Sequence, residues 1–221
     1  LALLLCGATG AQAGTPSRGV RWRGFNLTEL TRPDGGATAF REEDFRQIAA
    51  WGFNFVRLPL SYAFWVDPAD WNRVVEDKLA PVDEAVAWGR KYGLHVCLNF
   101  HRAPGYCINP PAEPRSLWTD AGARAACAAH WAVFARRYRA HPAEALSFNL
   151  LNEPPHGVSE TVYREVLQLL VRAIRVEDPD RLIVVDGLEV GRRPVLSLRE
   201  AGFVQSARGY EPRELTHYRA A

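Results

Sequence analysis

Ala145-Leu146-Ser147-Phe148-Asn149-Leu150-Leu151 is a short, continuous apolar run that breaks off in Asn152-Glu153-Pro154-Pro155. A run of this length, apolar on both faces, reads as a buried strand of a parallel sheet. Asn and Glu are poor strand formers, and Pro cannot continue a central strand. A glutamate at a buried strand end is costly unless partnered. Its position therefore points to chemistry at the mouth of a sheet rather than to folding.

The same alternation runs along the chain. Strands are expected over 20–27, 53–59, 94–101, 145–152 and 181–186, with a short sixth over 214–218. Between them fall helical segments over 38–51, 79–92, 121–140 and 159–177, and a shorter one over 194–206. Phe45, Ile48 and Ala49 share one face of the first helix, and Gly52 and Gly93 are placed to end the first two. Ser159 is a plausible N-cap. Apolar strands alternating with helices imply a parallel sheet covered by helices.

Two architectures fit that pattern. A doubly wound sheet usually carries a Gly-rich phosphate turn after an early strand. Gly35-Gly36 follows the first strand, but no G-x-G-x-x-G surrounds it. A (β/α)₈ barrel gathers its chemistry at the C-terminal strand ends. Asn26, Arg57, His101, Asn152 with Glu153, and His217 with Tyr218 fall at such ends, which favours the barrel. A full barrel takes roughly 250 residues, and this chain has 221. About six of eight βα units are expected, so the barrel is incomplete.

Composition excludes other classes. The 27 basic and 25 acidic side chains leave a net charge of +2, with no basic run. That gives no electrostatic case for nucleic acid or a membrane surface. Leu1-Ala2-Leu3-Leu4-Leu5-Cys6 followed by Ala11-Gln12-Ala13 resembles the end of a signal peptide. Residues 1–13 are therefore read as a partial signal peptide and 14–221 as one barrel, secreted or periplasmic. The chain contains no Met, so it is read as starting inside its coding sequence. Export permits a disulfide. Cys97 lies in an apolar strand, whereas Cys107 and Cys127 are candidates to pair. Their spacing matches no zinc site.

Four motifs then stand in order, one per strand. They are Arg57 in Asn54-Phe55-Val56-Arg57-Leu58-Pro59, His101 in Leu98-Asn99-Phe100-His101, Asn152-Glu153-Pro154, and Thr216-His217-Tyr218. In these the chain resembles glycoside hydrolase family 5, the cellulase-type (β/α)₈ enzymes, over about residues 20–218. The resemblance implies a retaining double displacement, with Glu153 as general acid and then general base. Asn152 would hold the sugar 2-hydroxyl, and Arg57 would orient the nucleophilic carboxylate. His101 and His217 would line the subsite at the cleaved bond, and Tyr218 would hydrogen-bond the nucleophile.

In the family the nucleophile is a glutamate ending strand seven, and a sugar-stacking Trp follows strand eight. Neither has a counterpart among these strands. Glu189, Glu211 and Glu214 do not occupy the nucleophile position. The chain alone is therefore expected to be inactive. Tyr62, Trp65, Tyr106 and Trp118 lie on loops beside the expected cleft and are candidates to stack on sugar. No metal or cofactor is expected, and the partner is a β-glucan or its oligosaccharides, bound by a monomer. Endo-β-1,4-glucanase is the leading activity, with β-mannanase or exo-β-1,3-glucanase as alternatives. A non-catalytic carbohydrate-binding barrel is the reading from another class.

Overall fold

His95-Val96-Cys97-Leu98-Asn99-Phe100 is buried without interruption, which an antiparallel sheet with one wet face would not allow. A computed structural model, describing residues 21–36, 39–67, 69–198 and 202–218, shows why. This segment belongs to the central strand β5 (His95–Ala103) of a parallel sheet. Six strands run in parallel order: β1 (Gly24–Asn26), β2 (Phe55–Ser61), β5, β7 (Leu146–Asn149), β8 (Leu182–Asp186) and β9 (Val204–Ser206). β6 (Tyr106–Cys107) folds back antiparallel onto β5, and β3 (Val66–Asp67) pairs with β4 (Asp70–Val74) as a separate ribbon. Six parallel strands curve into an incomplete barrel, as the sequence pattern implied.

Helices α1 (Glu42–Ala50), α2 (Ala80–Lys91), α3 (Ala121–Tyr138) and α4 (Glu160–Glu177) connect successive parallel strands as far as β8. Tyr163, Val166, Leu167, Leu170 and Ile174 form the buried stripe of α4, at the three- and four-residue spacing of one helix face. Each such side chain contributes about 1.5–3 kcal/mol on burial. Ser159 caps α4 by accepting the N–H of Val162, and Asp120 caps α3 by accepting that of Ala123 at 2.7 Å. Gly89 lets α2 close on β5, since a Cβ there would lie 2.2 Å from Val96 Cγ2. The ring of Trp131 on α3 stacks on Phe100 with centroids 3.9 Å apart.

The sixth strand departs from expectation. It is Val204–Ser206, inside the segment expected to be helical, while 214–218 carries the short helix α6 (Arg213–Thr216), which comes after the one-turn segment α5 (Leu188–Gly191) that follows β8. Val204-Gln205-Ser206 supplies one aliphatic residue, so its strand character comes from pairing with β8, not from local pattern. Pro212 stands just ahead of α6, and its carbonyl accepts the N–H groups of Leu215 and Thr216. The expected leader over 1–13 lies outside the described residues. No helix among the described residues is long and apolar enough to cross a membrane.

Candidate active site

The C-terminal ends of the parallel strands converge on one buried polar network. Arg57, the third residue of β2 rather than its last, donates from Nε and Nη2 to Asn149 Oδ1 at 3.0 and 2.9 Å. Nη2 also reaches Asn152 Oδ1 at 2.9 Å, and Nη1 reaches Asn26 Oδ1 at 3.3 Å. Burial lowers the Arg57 pKa, and the nearby Asp186 charge opposes that effect. Asn149 passes the network on, donating from Nδ2 to Asp186 Oδ1 at 3.0 Å. Asp186 ends β8 and is fully buried. Its Oδ2 accepts the backbone N–H of Glu153 at 2.9 Å and also a bond from Arg208 Nη2.

Glu153 sits just beyond β7 at φ 46°, a left-handed conformation that costs a non-glycine residue free energy. Contacts on both sides hold it there. Its N–H is fixed by Asp186 and its carbonyl accepts the Tyr106 hydroxyl. The carboxylate is only 14% exposed, and Oε1 accepts from Arg208 Nε at 3.1 Å and from the Tyr210 hydroxyl. Burial comes first in pushing the Tyr210 hydroxyl up to about 12, with the bond to Glu153 adding to it. Burial alone would lower the Arg208 pKa, but Asp186 and Glu153 outweigh it and the net shift is upward.

A cleft of about 370 Å³ opens above this network, lined by Asn26, Arg57, His101, Asn152, Glu153, Arg208 and Tyr210 among others. Burial, followed by the Arg57 cation, brings the His101 pKa down to about 4. The ring is therefore neutral near pH 7 and can both donate and accept a hydrogen bond. An adjoining cavity of about 490 Å³ shares Thr31 and His101 with the cleft. Tyr62 and Glu113 lie on its wall, the Tyr62 hydroxyl donating to Glu113 Oε2 at 2.6 Å.

The structure thus gathers Arg57, His101, Asn152 and Glu153 around one cleft. His217 and Tyr218 do not join them. They follow α6, the His217 ring packs edge-on against Tyr210, and Tyr218 is 72% exposed. With the sixth strand at Val204–Ser206, Arg208 and Tyr210 take the strand-end position instead. Trp65 is not a cleft residue. It is 1% exposed, its Nε1 donates to His130 Nδ1 at 3.2 Å, and it packs on Phe100 and Phe134. Tyr106 is buried with its hydroxyl spent on Glu153, and Trp118 packs edge-on against it. Of the four aromatic candidates, Tyr62 lines a cavity beside the cleft. The expected bridge is also not formed. Cys97, Cys107 and Cys127 are free thiols, with Cys127 fully buried in α3 and Cys107 lying 4.0 Å from His101 Nδ1.

Asp186, Arg208 and Tyr210 were missed from the sequence. A buried carboxylate ending strand five was the one available signal, and it was read only as a strand boundary. Among the described residues, no three or more His, Cys, Asp or Glu side chains converge to hold a metal.

A parallel αβ half-barrel with a buried Arg–Asn–Asp–Glu network at its C-terminal mouth matches the (β/α)₈ class, whose sites sit at that mouth. Residues 11–207 match the model of the cellulase family, glycosyl hydrolase family 5, and the chain belongs to that family. Endoglucanase C of Acetivibrio thermocellus is 31% identical over 150 residues, covering 68% of this chain and 43% of that protein. Probable glucan 1,3-beta-glucosidase A of Aspergillus fumigatus is 31% identical over 150 residues, covering 65% and 36%. A solved glycoside hydrolase structure superposes with a TM-score of 0.86 at 36% identity, over 91% of this chain and 64% of that one. The chain spans about half the length of the curated relatives it matches.

Proposed function

We propose that this chain carries the acid/base half of a retaining β-glucan hydrolase, with Glu153 as the proton donor. The observation that supports it most is the setting of Glu153. Its main chain is held on both sides by Asp186 and Tyr106, and its carboxylate lines a cleft shared with Arg57, His101 and Asn152. Glu153 protonates the glycosidic oxygen as the bond breaks, then takes a proton from the water that releases the glycosyl–enzyme intermediate. Asn152 Oδ1 is engaged by Arg57, which leaves the Asn152 amide N–H groups for the sugar 2-hydroxyl. Neutral His101 serves a sugar hydroxyl without bringing a charge. Arg57 orients the attacking carboxylate, which a seventh strand supplies in a complete barrel.

Asp186 cannot take that attacking role. It is fully buried, and its two oxygens already accept from Asn149, Glu153 and Arg208. The 221-residue chain by itself should therefore bind oligosaccharide without cleaving it. The substrate proposed is a β-1,4-glucan; the name of the endoglucanase relative supports a glucan. A β-1,3-glucan is the second reading, because the glucan 1,3-beta-glucosidase is equally similar. Export, read from residues 1–13, and a monomeric state belong to the same proposal.

The test is Glu153→Gln in a completed barrel. Hydrolysis of glucan, whose leaving group needs a proton, should fall by about 10²–10⁴-fold. Aryl glycosides with a good leaving group should lose far less in the first step. Equal losses on both substrates would remove the acid assignment.

A further inference from the structure

Arg208 is held along its whole length. Its backbone N–H donates to Gly191 O at 2.9 Å, and a Cβ on Gly191 would lie 2.5 Å from Arg208 Cγ. Gly191 itself stands at φ 81°, so the residue that admits the arginine stem also needs the freedom of glycine. At the head, Nη1 donates to Ser206 Oγ, Nη2 to Asp186 Oδ2 and Nε to Glu153 Oε1. The side chain is 15% exposed. A planar guanidinium can span two carboxylates in this way, whereas a lysine presents a single point charge on a flexible stem.

The bridge is asymmetric at its functional end. Glu153 Oε1 takes both Arg208 and Tyr210, while Oε2 has no hydrogen-bond partner among the described residues. Asp186 also holds the Glu153 N–H, so one buried carboxylate anchors the main chain of Glu153 directly and its side chain through Arg208.

We propose that Arg208 is a positioning residue for Glu153. Braced on Asp186, it fixes the carboxyl group through Oε1 and leaves Oε2 as the oxygen that meets the glycosidic bond. The proposal rests on the reading of Glu153 as the proton donor. It adds Arg208 as the residue that decides which oxygen does the work. The relay runs from Asp186 through Arg208 to Glu153, and Tyr210 is an accessory donor to the same oxygen.

The experiment is NMR on the 221-residue chain, labelled with ¹⁵N-arginine and ¹³C-glutamate. In Glu153→Gln, which keeps the shape and leaves Asp186 paired, the Arg208 Nε–H should exchange with solvent about tenfold faster as its charge-assisted bond is lost. Arg208→Lys keeps a cation beside Asp186, so the fold survives. The Glu153 side-chain resonances, reporting one rotamer in the parent, should then average over several. In Tyr210→Phe the single rotamer should persist. An Nε–H unaffected by Glu153→Gln, or a single Glu153 rotamer retained in Arg208→Lys, overturns the role of Arg208. Failure of the acid assignment looks different. In that case the NMR signatures appear as described, but Glu153→Gln in a completed barrel hydrolyses glucan normally.

Discussion

The backbone N–H of Glu153 donates to Asp186 Oδ2 at 2.9 Å, tying the loop four residues beyond β7 to the last residue of β8. The same carboxylate accepts from Asn149 and Arg208, so it organises the cleft without facing it. Replacing it by asparagine leaves one amide oxygen to serve three donors and removes the charge that balances Arg208. Asp186→Asn should destabilise the chain by about 3–5 kcal/mol. Urea unfolding monitored by tryptophan fluorescence measures this directly. A loss below about 1 kcal/mol would mean that the network does not depend on Asp186.

Stability should also fall in mild acid. His95 and His130 are both buried, and burial brings their pKa values down to about 4 from an ordinary value of 6.5. Below pH 6.5 the unfolded chain takes up protons that the folded chain refuses. Stability contributed by these neutral rings is therefore complete above pH 6.5, is lost as pH falls toward 4, and then levels off. Each ring should cost about 2 kcal/mol between pH 7 and pH 5. His101 carries the same shift, so urea midpoints at the two pH values give the total of three rings, and His130→Gln should remove about a third of the slope. A flat profile would show that the rings protonate in the folded state.

Cys107 and Cys127 give a redox prediction. With both as free thiols, Cys107→Ser should shift the melting temperature equally in oxidising and reducing buffer. A shift confined to oxidising buffer would reinstate the bridge. Cys127 in the core of α3 should react with a thiol reagent only once the chain unfolds.

Strands β2, β5, β7 and β8 were legible because each carries an apolar run bounded by turn residues; β1 is only three exposed residues, Gly24–Asn26, within the expected 20–27. Arg57 and His101 lie within β2 and β5 rather than at their ends, and with Asn152 and Glu153 they line one cleft. The sixth strand was not legible. Val204–Ser206 is short and mostly polar, and it is a strand only because β8 lies beside it. Expecting that strand ten residues further along put His217 and Tyr218, rather than Arg208 and Tyr210, just at its end. Trp65 misled for a related reason. Its loop position suggested the cleft, but Phe100 on β5 and His130 and Phe134 on α3 cover the ring. Arg208, whose role depends on partners distant in sequence, left no local signal, and Asp186 left only its place at the end of an apolar strand.

The most direct measurement is the product formed when azide rescues Glu153→Ala in a completed barrel acting on an activated aryl β-glycoside. With the acid/base carboxyl removed, azide enters from the side Glu153 vacates and attacks the glycosyl–enzyme intermediate. The predicted product is the β-glycosyl azide, with turnover rising as azide is added. An α-glycosyl azide would make Glu153 the nucleophile, and no rescue at any azide concentration would remove it from the chemistry.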